Sequence, residues 1–188
     1  ATERVQAQRS LARSLGLKEQ TRFILFAGRL HAQKDPLLLI QAMAILADAN
    51  AHLLIAGEGD LENPIRAEIA HLNLSDRITM LGGLPQSELA KLQRVASVFV
   101  LSSVYEGLPV VVLEALSSGT PIVTTHCGET PNLLTPQSGV VCKERTSEAL
   151  AAAIKQVLAC PQNFPIEACT DAAKPFHASA IVKDLCAR

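Results

Sequence analysis

The chain has 188 residues, 48% of them apolar and 19% charged, with 17 basic against 18 acidic side chains. A chain of this length holds a single core that buries about 70% of its unfolded surface, and the composition is not that of a disordered chain. A net charge of −1 offers no basic field to DNA or an anionic membrane. Aromatics at 3%, with no Trp and one Tyr, leave few stacking platforms for single-stranded nucleic acid.

The N-terminal run ATERVQAQRSLARSLGL carries Arg but no apolar stretch, so it is not read as a secretory signal. Residues 1–20 are read as a linker or helix leading into the domain. A strand is expected over Phe23–Ala27. Asp35-Pro36 then places a capping side chain before Pro at the first helical position, opening LLLIQAMAILA. Next come a strand at His52–Ala56, a helix around Leu61–Leu72, a strand at Arg77–Leu81 and a helix around Ser87–Val95. The strand Ser97–Leu101 leads to a helix at Val110–Ser118, with Gly119 expected in the C-cap position. A strand at Pro121–Thr124, a short segment near Pro131–Leu134 and a strand at Val140–Cys142 follow. Thr146-Ser147-Glu148 opens the helix Ala149–Leu158. Residues 21–160 form the expected domain. Residues 161–188 form a helical extension, with helices near Ile166–Ala173 and His177–Cys186.

Strands alternating with helices at this spacing specify an α/β fold: a Rossmann-like doubly wound parallel sheet with helices on both faces. No apolar run approaches the ~20 residues of a membrane helix. The five cysteines (Cys127, Cys142, Cys160, Cys169 and Cys186) are odd in number and form no CxxC, so reduced thiols are expected rather than disulfides or zinc. None of the five His residues has a metal-ligand spacing. His31 and His126 fall on loops after strands and are read as surface or packing residues.

Ligands of such sheets bind outside the carboxyl ends of the strands. In this chain those ends carry Gly28-Arg29, Gly57-Glu58-Gly59, Gly82-Gly83, Ser102-Ser103 through Glu106-Gly107, and Thr124 through Gly128. Arg29 and Lys34 pair a forked guanidinium with a mobile ammonium, both suited to phosphate oxygens. No GxGxxG or GxxxxGK[ST] follows the first strand, which argues against a nicotinamide dehydrogenase and a P-loop NTPase. Glu106 lies in a loop. Glu114 lies within VVVLEAL, where an unpaired buried carboxylate is costly, so it is expected to face the rim. If fully helical, eight residues place the two ~12 Å apart, the span of a sugar and a ribose joined by a diphosphate. Glu58, between two glycines, reads equally well as part of a tight turn.

The ordered motifs GRLHAQK, LLIAGEGD, RITMLGGL, EGLPVVVLEALSSGTPIVTT and SGVVC resemble the C-terminal, donor-binding domain of retaining family 4 glycosyltransferases of the GT-B fold. The likeness runs from about Phe23 to Leu158 and more weakly to Arg188. The resemblance implies that Arg29 and Lys34 bind a donor diphosphate. It implies that Glu106, with the backbone of Gly107 and Leu108, holds the donor sugar, and that Glu114 binds the ribose. It also implies that Gly28 takes part in donor binding and that the chain near Leu84 and Gln86 lines the base pocket. It implies a nucleotide-diphosphate sugar as donor, no cofactor and no metal, and an N-terminal acceptor-binding domain as partner. A cytoplasmic location follows, with any peripheral membrane contact made through that other half. Arg29, Lys34 and Glu106 are the candidate catalytic residues. Two departures stand out: Asp35 replaces the Gly that usually follows the Lys, and GETPN (Gly128–Asn132) replaces GGxPE. A non-catalytic nucleotide-sugar binding module and a GT-B sugar-nucleotide epimerase remain alternatives.

Overall fold

Runs of β-branched and aliphatic residues form six strands, and the longer apolar patterns between them form helices. The structure, a computed structural model, describes residues 2–176, so the helix expected at His177–Cys186 lies outside the described residues. In chain order the elements are α1 (Thr2–Ser14), β1 (Arg22–Ala27), α2 (Pro36–Ile45), β2 (Ala51–Ala56), α3 (Glu62–His71), β3 (Ile78–Gly82) and α4 (Gln86–Val95). There follow β4 (Val98–Leu101), α5 (Val110–Ser117), β5 (Ile122–Thr124), β6 (Gly139–Val141), α6 (Ser147–Ala159) and α7 (Ile166–Ala173). Short 3₁₀ turns occupy Thr130–Leu133, Pro161–Asn163 and Lys174–Phe176.

The sheet order is β3-β2-β1-β4-β5-β6, with every pairing parallel. Successive side chains of a strand face opposite sides of a sheet. Ile24 and Phe26 of β1, Leu53 and Ile55 of β2, and Val98 and Val100 of β4 join one apolar layer with Leu39, Ile40 and Met43 of α2, Ile65 of α3 and Ile154 of α6. Phe23, Leu25, Leu54, Phe99 and Leu101 join the other, with Ala12 of α1, Val112 and Leu116 of α5, and Cys169 of α7. Each fully buried Leu, Ile or Phe contributes about 1.5–3 kcal/mol, which is why continuous apolar strands suit a sheet covered on both faces.

Local signals account for the helix starts. The Asp35 side chain accepts from Leu38 N at 3.3 Å with Pro36 following, and Thr146 accepts from Ala149 N. At the end of α5 the cap residue is Ser118. Gly119 stands one residue beyond, at φ 75°, rather than in the C-cap position itself. A Cβ there would press on Ile166 of α7, so the glycine also lets α7 approach. Residues 1–20 contain α1, whose Arg4 donates to Ala96 O (2.7 Å), Gly119 O (2.9 Å) and Thr120 Oγ1 (3.1 Å) across the ends of α4 and α5. Burial lowers the pKa of this guanidinium.

The strand order reverses between β1 and β4. Loops leaving these neighbours run to opposite faces and open a crevice at their carboxyl ends.

Candidate functional site

Three rim loops meet at that crevice because backbone can approach backbone there. Beyond the strand ends the hydrogen bonding continues, through Gly28 N to Ala56 O (3.0 Å), Gly57 N to Gly82 O (2.7 Å) and Leu30 N to Glu58 O (2.9 Å). A Cβ at Gly57 would overlap the carbonyl oxygen of Gly28, and one at Gly59 would overlap that of Leu30. The glycines flanking Glu58 therefore serve close approach of the β1 and β2 loops. Glu58 itself turns to the crevice and accepts from Gly83 N at 3.2 Å.

The crevice is a cavity of about 510 Å³. Gly28, Arg29, Lys34, Leu84, Gln86, Glu106, Leu108 and Glu114 all line it. Gly107 is exposed between Glu106 and Leu108 and does not itself line it. His31 and His126 are exposed and lie outside the lining.

Lys34 and Glu106 form the centre. Lys34 Nζ donates to Glu106 Oε1 at 2.6 Å, with the two side chains 19% and 7% exposed. Ser103 Oγ donates to the same oxygen at 2.5 Å. The two loops are further tied by Ser102 Oγ to Lys34 O (2.8 Å), Val104 N to Gln33 O (2.8 Å) and Gln33 Nε2 to Tyr105 O (3.2 Å). The β5 loop closes in behind. Gly128 has φ 51°, and a Cβ there would overlap the carbonyl oxygen of Glu106.

Asp35 explains one departure from the motif. It sits at φ 41°, ψ 59°, a left-handed conformation that glycine enters freely and Asp tolerates. Its carboxylate is occupied twice, by Leu38 N and by Arg145 from the loop before α6. This pairing joins residues 110 apart in the chain.

The segment from Glu106 to Glu114 is not helical throughout: residues 106–109 are loop and only Val110 onward is helical. Pro109 precedes the helix and makes no side-chain cap, so the uncapped start of α5 faces the cavity between the two carboxylates. Glu114, one turn in, accepts from Gln86 Nε2 at 2.7 Å, so its partner is a residue of the same cavity.

Among the described residues no group of three His, Cys, Asp or Glu is placed to hold a metal ion, and no helix is long and apolar enough to cross a membrane. Cys127, Cys142, Cys160 and Cys169 are free thiols. Burial pushes Cys142 and Cys169 up to about 11.

Comparison with known proteins adds to this geometry. An uncharacterized glycosyltransferase of Methanocaldococcus jannaschii is 34% identical over 148 residues, covering 78% of this chain and 38% of that protein. A D-inositol 3-phosphate glycosyltransferase of Segniliparus rotundus is 33% identical over 157 residues, covering 80% of this chain and 35% of that protein. Among solved structures, Anabaena HepE in complex with UDP and glucose superposes with a TM-score of 0.86 at 20% identity. The match covers 96% of this chain and 51% of HepE. Sucrose-phosphate synthase of Thermosynechococcus elongatus superposes with a TM-score of 0.82 at 24% identity. The chain thus spans about half or less of the length of these proteins. The family model for glycosyl transferases group 1 matches residues 7–174, and the chain belongs to that family.

Proposed function

We propose that this chain is the donor-binding half of a retaining, hexosyl-type glycosyltransferase. It would move a sugar from a nucleotide-diphosphate donor to an acceptor held by an adjoining N-terminal domain. The observation that carries this reading is the convergence of Arg29, Lys34, Glu106 and Glu114 on one cavity at the reversal point of the sheet.

In this reading Arg29 and Lys34 hold the diphosphate. Lys34 has three N–H donors and gives one to Glu106, so the others remain for phosphate oxygens. The α5 start adds backbone N–H groups and the positive end of a dipole. These groups stabilise the negative charge that collects on the departing diphosphate as the anomeric C–O bond breaks. The positive charge comes from side chains and backbone, so the scheme calls for no metal and no cofactor. Glu106 accepts from a hydroxyl of the sugar, with the Gly107 and Leu108 backbone beside it. Glu114 accepts from the ribose, and Leu84 and Gln86 border the base. HepE, bound to UDP and glucose, supports a nucleotide-sugar site on this fold. The isolated chain is expected to bind donor without transferring sugar.

Calorimetry with UDP, GDP and ADP against their nucleosides tests this. The Lys34→Ala variant should weaken the diphosphate about 10- to 100-fold and leave the nucleoside unchanged. Equal losses for both, or no saturable binding of any diphosphate to the wild-type chain, would contradict the role.

A further inference from the structure

Glu106 presents its two carboxylate oxygens unequally. Oε1 takes both Lys34 Nζ at 2.6 Å and Ser103 Oγ at 2.5 Å, while no described residue donates to Oε2. Nor is Oε2 sealed inside: among the described residues the one buried side-chain polar atom without a partner is Arg77 Nε. A carboxylate that lines the cavity, has one oxygen saturated and the other unpartnered, offers a single directed acceptor to whatever enters.

The hydroxyl responsible is itself held. Ser103 is fully buried, and its carbonyl oxygen accepts from the buried Thr125 Oγ1 at 2.7 Å. Thr125 N in turn donates to Leu101 O at 3.1 Å, extending the β4–β5 ladder into the loop. The chain of bonds therefore runs from the sheet through Thr125 and Ser103 to the carboxylate. Polar groups this buried are retained with their partners, because an orphaned one carries its full desolvation cost.

We propose that Ser103 is a positioning residue, whose hydroxyl, together with Lys34, occupies Oε1 of Glu106 and so turns Oε2 into the cavity as the acceptor for a hydroxyl of the bound sugar. The functional part rests on the donor-binding reading above. The positional part rests only on the geometry. Without the Ser103 bond, Glu106 keeps Lys34 alone and can rotate about its side-chain torsions. The directed acceptor is then lost, while the phosphate contacts of Lys34 remain.

The test compares a nucleotide with its sugar conjugate. UDP and UDP-glucose, and GDP and GDP-mannose, are titrated into the wild-type chain, Ser103→Ala and Ser138→Ala. Ser138 is equally buried, but its hydroxyl bonds only to Thr135 and not to Glu106. For the pair that binds, Ser103→Ala should lower affinity for the sugar nucleotide about five- to tenfold and shift the bare diphosphate less than twofold. Ser138→Ala should leave the ratio of the two affinities unchanged. Equal losses for both ligands in Ser103→Ala, or no loss for either, overturn the proposal. Absence of binding by the wild-type chain contradicts the donor reading instead, and a ligand-free cycle then decides the positional claim. In urea unfolding, Ser103→Ala combined with Glu106→Ala should destabilise no more than the worse single variant. Losses that add overturn the claim that Ser103 holds Glu106.

Discussion

Two hollows among the described residues differ in kind, and the larger is not the one that gathers convergent polar groups. A groove of about 860 Å³ runs between α1, α4, α5 and α7, walled by Leu11, Leu81, Leu92, Val95 and Ile166. Three of its charged residues are engaged with their own surroundings: Arg4 spans the ends of α4 and α5, and Lys91 pairs with Glu88 at 2.8 Å. The rim cavity is smaller, at about 510 Å³, and its walls are strand-end loops together with the first turns of α4 and α5. It gathers two cations, three carboxylates and an uncapped helix start, and glycine backbones let its loops touch. Volume measures how helices pack. Convergent polar groups measure what a hollow can recognise. Leu84 borders both hollows, so the two can be perturbed separately on either side of one residue.

The largest effect expected from breaking this contrast is at Gly57. Gly57→Ala drives a Cβ into the Gly28 carbonyl at a backbone φ of 147°, and neither backbone can yield cheaply. A loss of about 2–4 kcal/mol in urea unfolding is expected, together with loss of nucleotide binding. Wild-type stability in this variant would show that the rim loops are not packed as described.

On the groove side, Arg4→Ala removes donors to three acceptors and should lower stability by about 1.5–3 kcal/mol. Nucleotide affinity of the remaining folded protein should stay within twofold. A parallel fall in affinity would mean that groove and cavity are one functional unit.

The smallest effect lies under neither hollow. His52, on β2, is 5% exposed, with a ring nitrogen 2.8 Å from Thr79 Oγ1. Burial pulls its pKa below the ordinary value, and the Arg77 charge acts in the same direction. The unfolded chain therefore binds more protons than the folded one as pH falls below about 6.5, and stability is lost on acidification through that window. His52→Gln should flatten this slope between pH 7.5 and 5.5 in urea midpoints. An unchanged slope would assign it to another group.

Much of the fold is legible in the chain because its signals are local. Asp35-Pro36 and Thr146 start helices, and short apolar runs such as FILFA, bounded by turn residues, suit strands covered on both faces. The rim residues were also legible, since glycine and polar clusters follow each strand. What escaped is set by tertiary approach. Nothing local places Ser103 and Lys34 on one oxygen of Glu106, joins Arg145 to Asp35, or presses Gly128 on the Glu106 carbonyl. The helix that carries Glu114 begins only after Pro109, and that proline is the local sign that Glu106 lies outside it. The strand order, and with it the reversal between β1 and β4, is likewise a property of the assembled sheet.

The contrast between the hollows has one direct test: amide chemical-shift mapping of the ¹⁵N-labelled chain titrated with UDP-glucose and GDP-mannose. The account predicts saturable shifts at Gly28, Lys34, Gln86, Gly107 and Leu108, with Ser10, Leu92 and Thr170 along the groove unmoved. Shifts that gather on Ser10, Leu92 and Thr170 and leave the Lys34 and Leu108 loops untouched would contradict it.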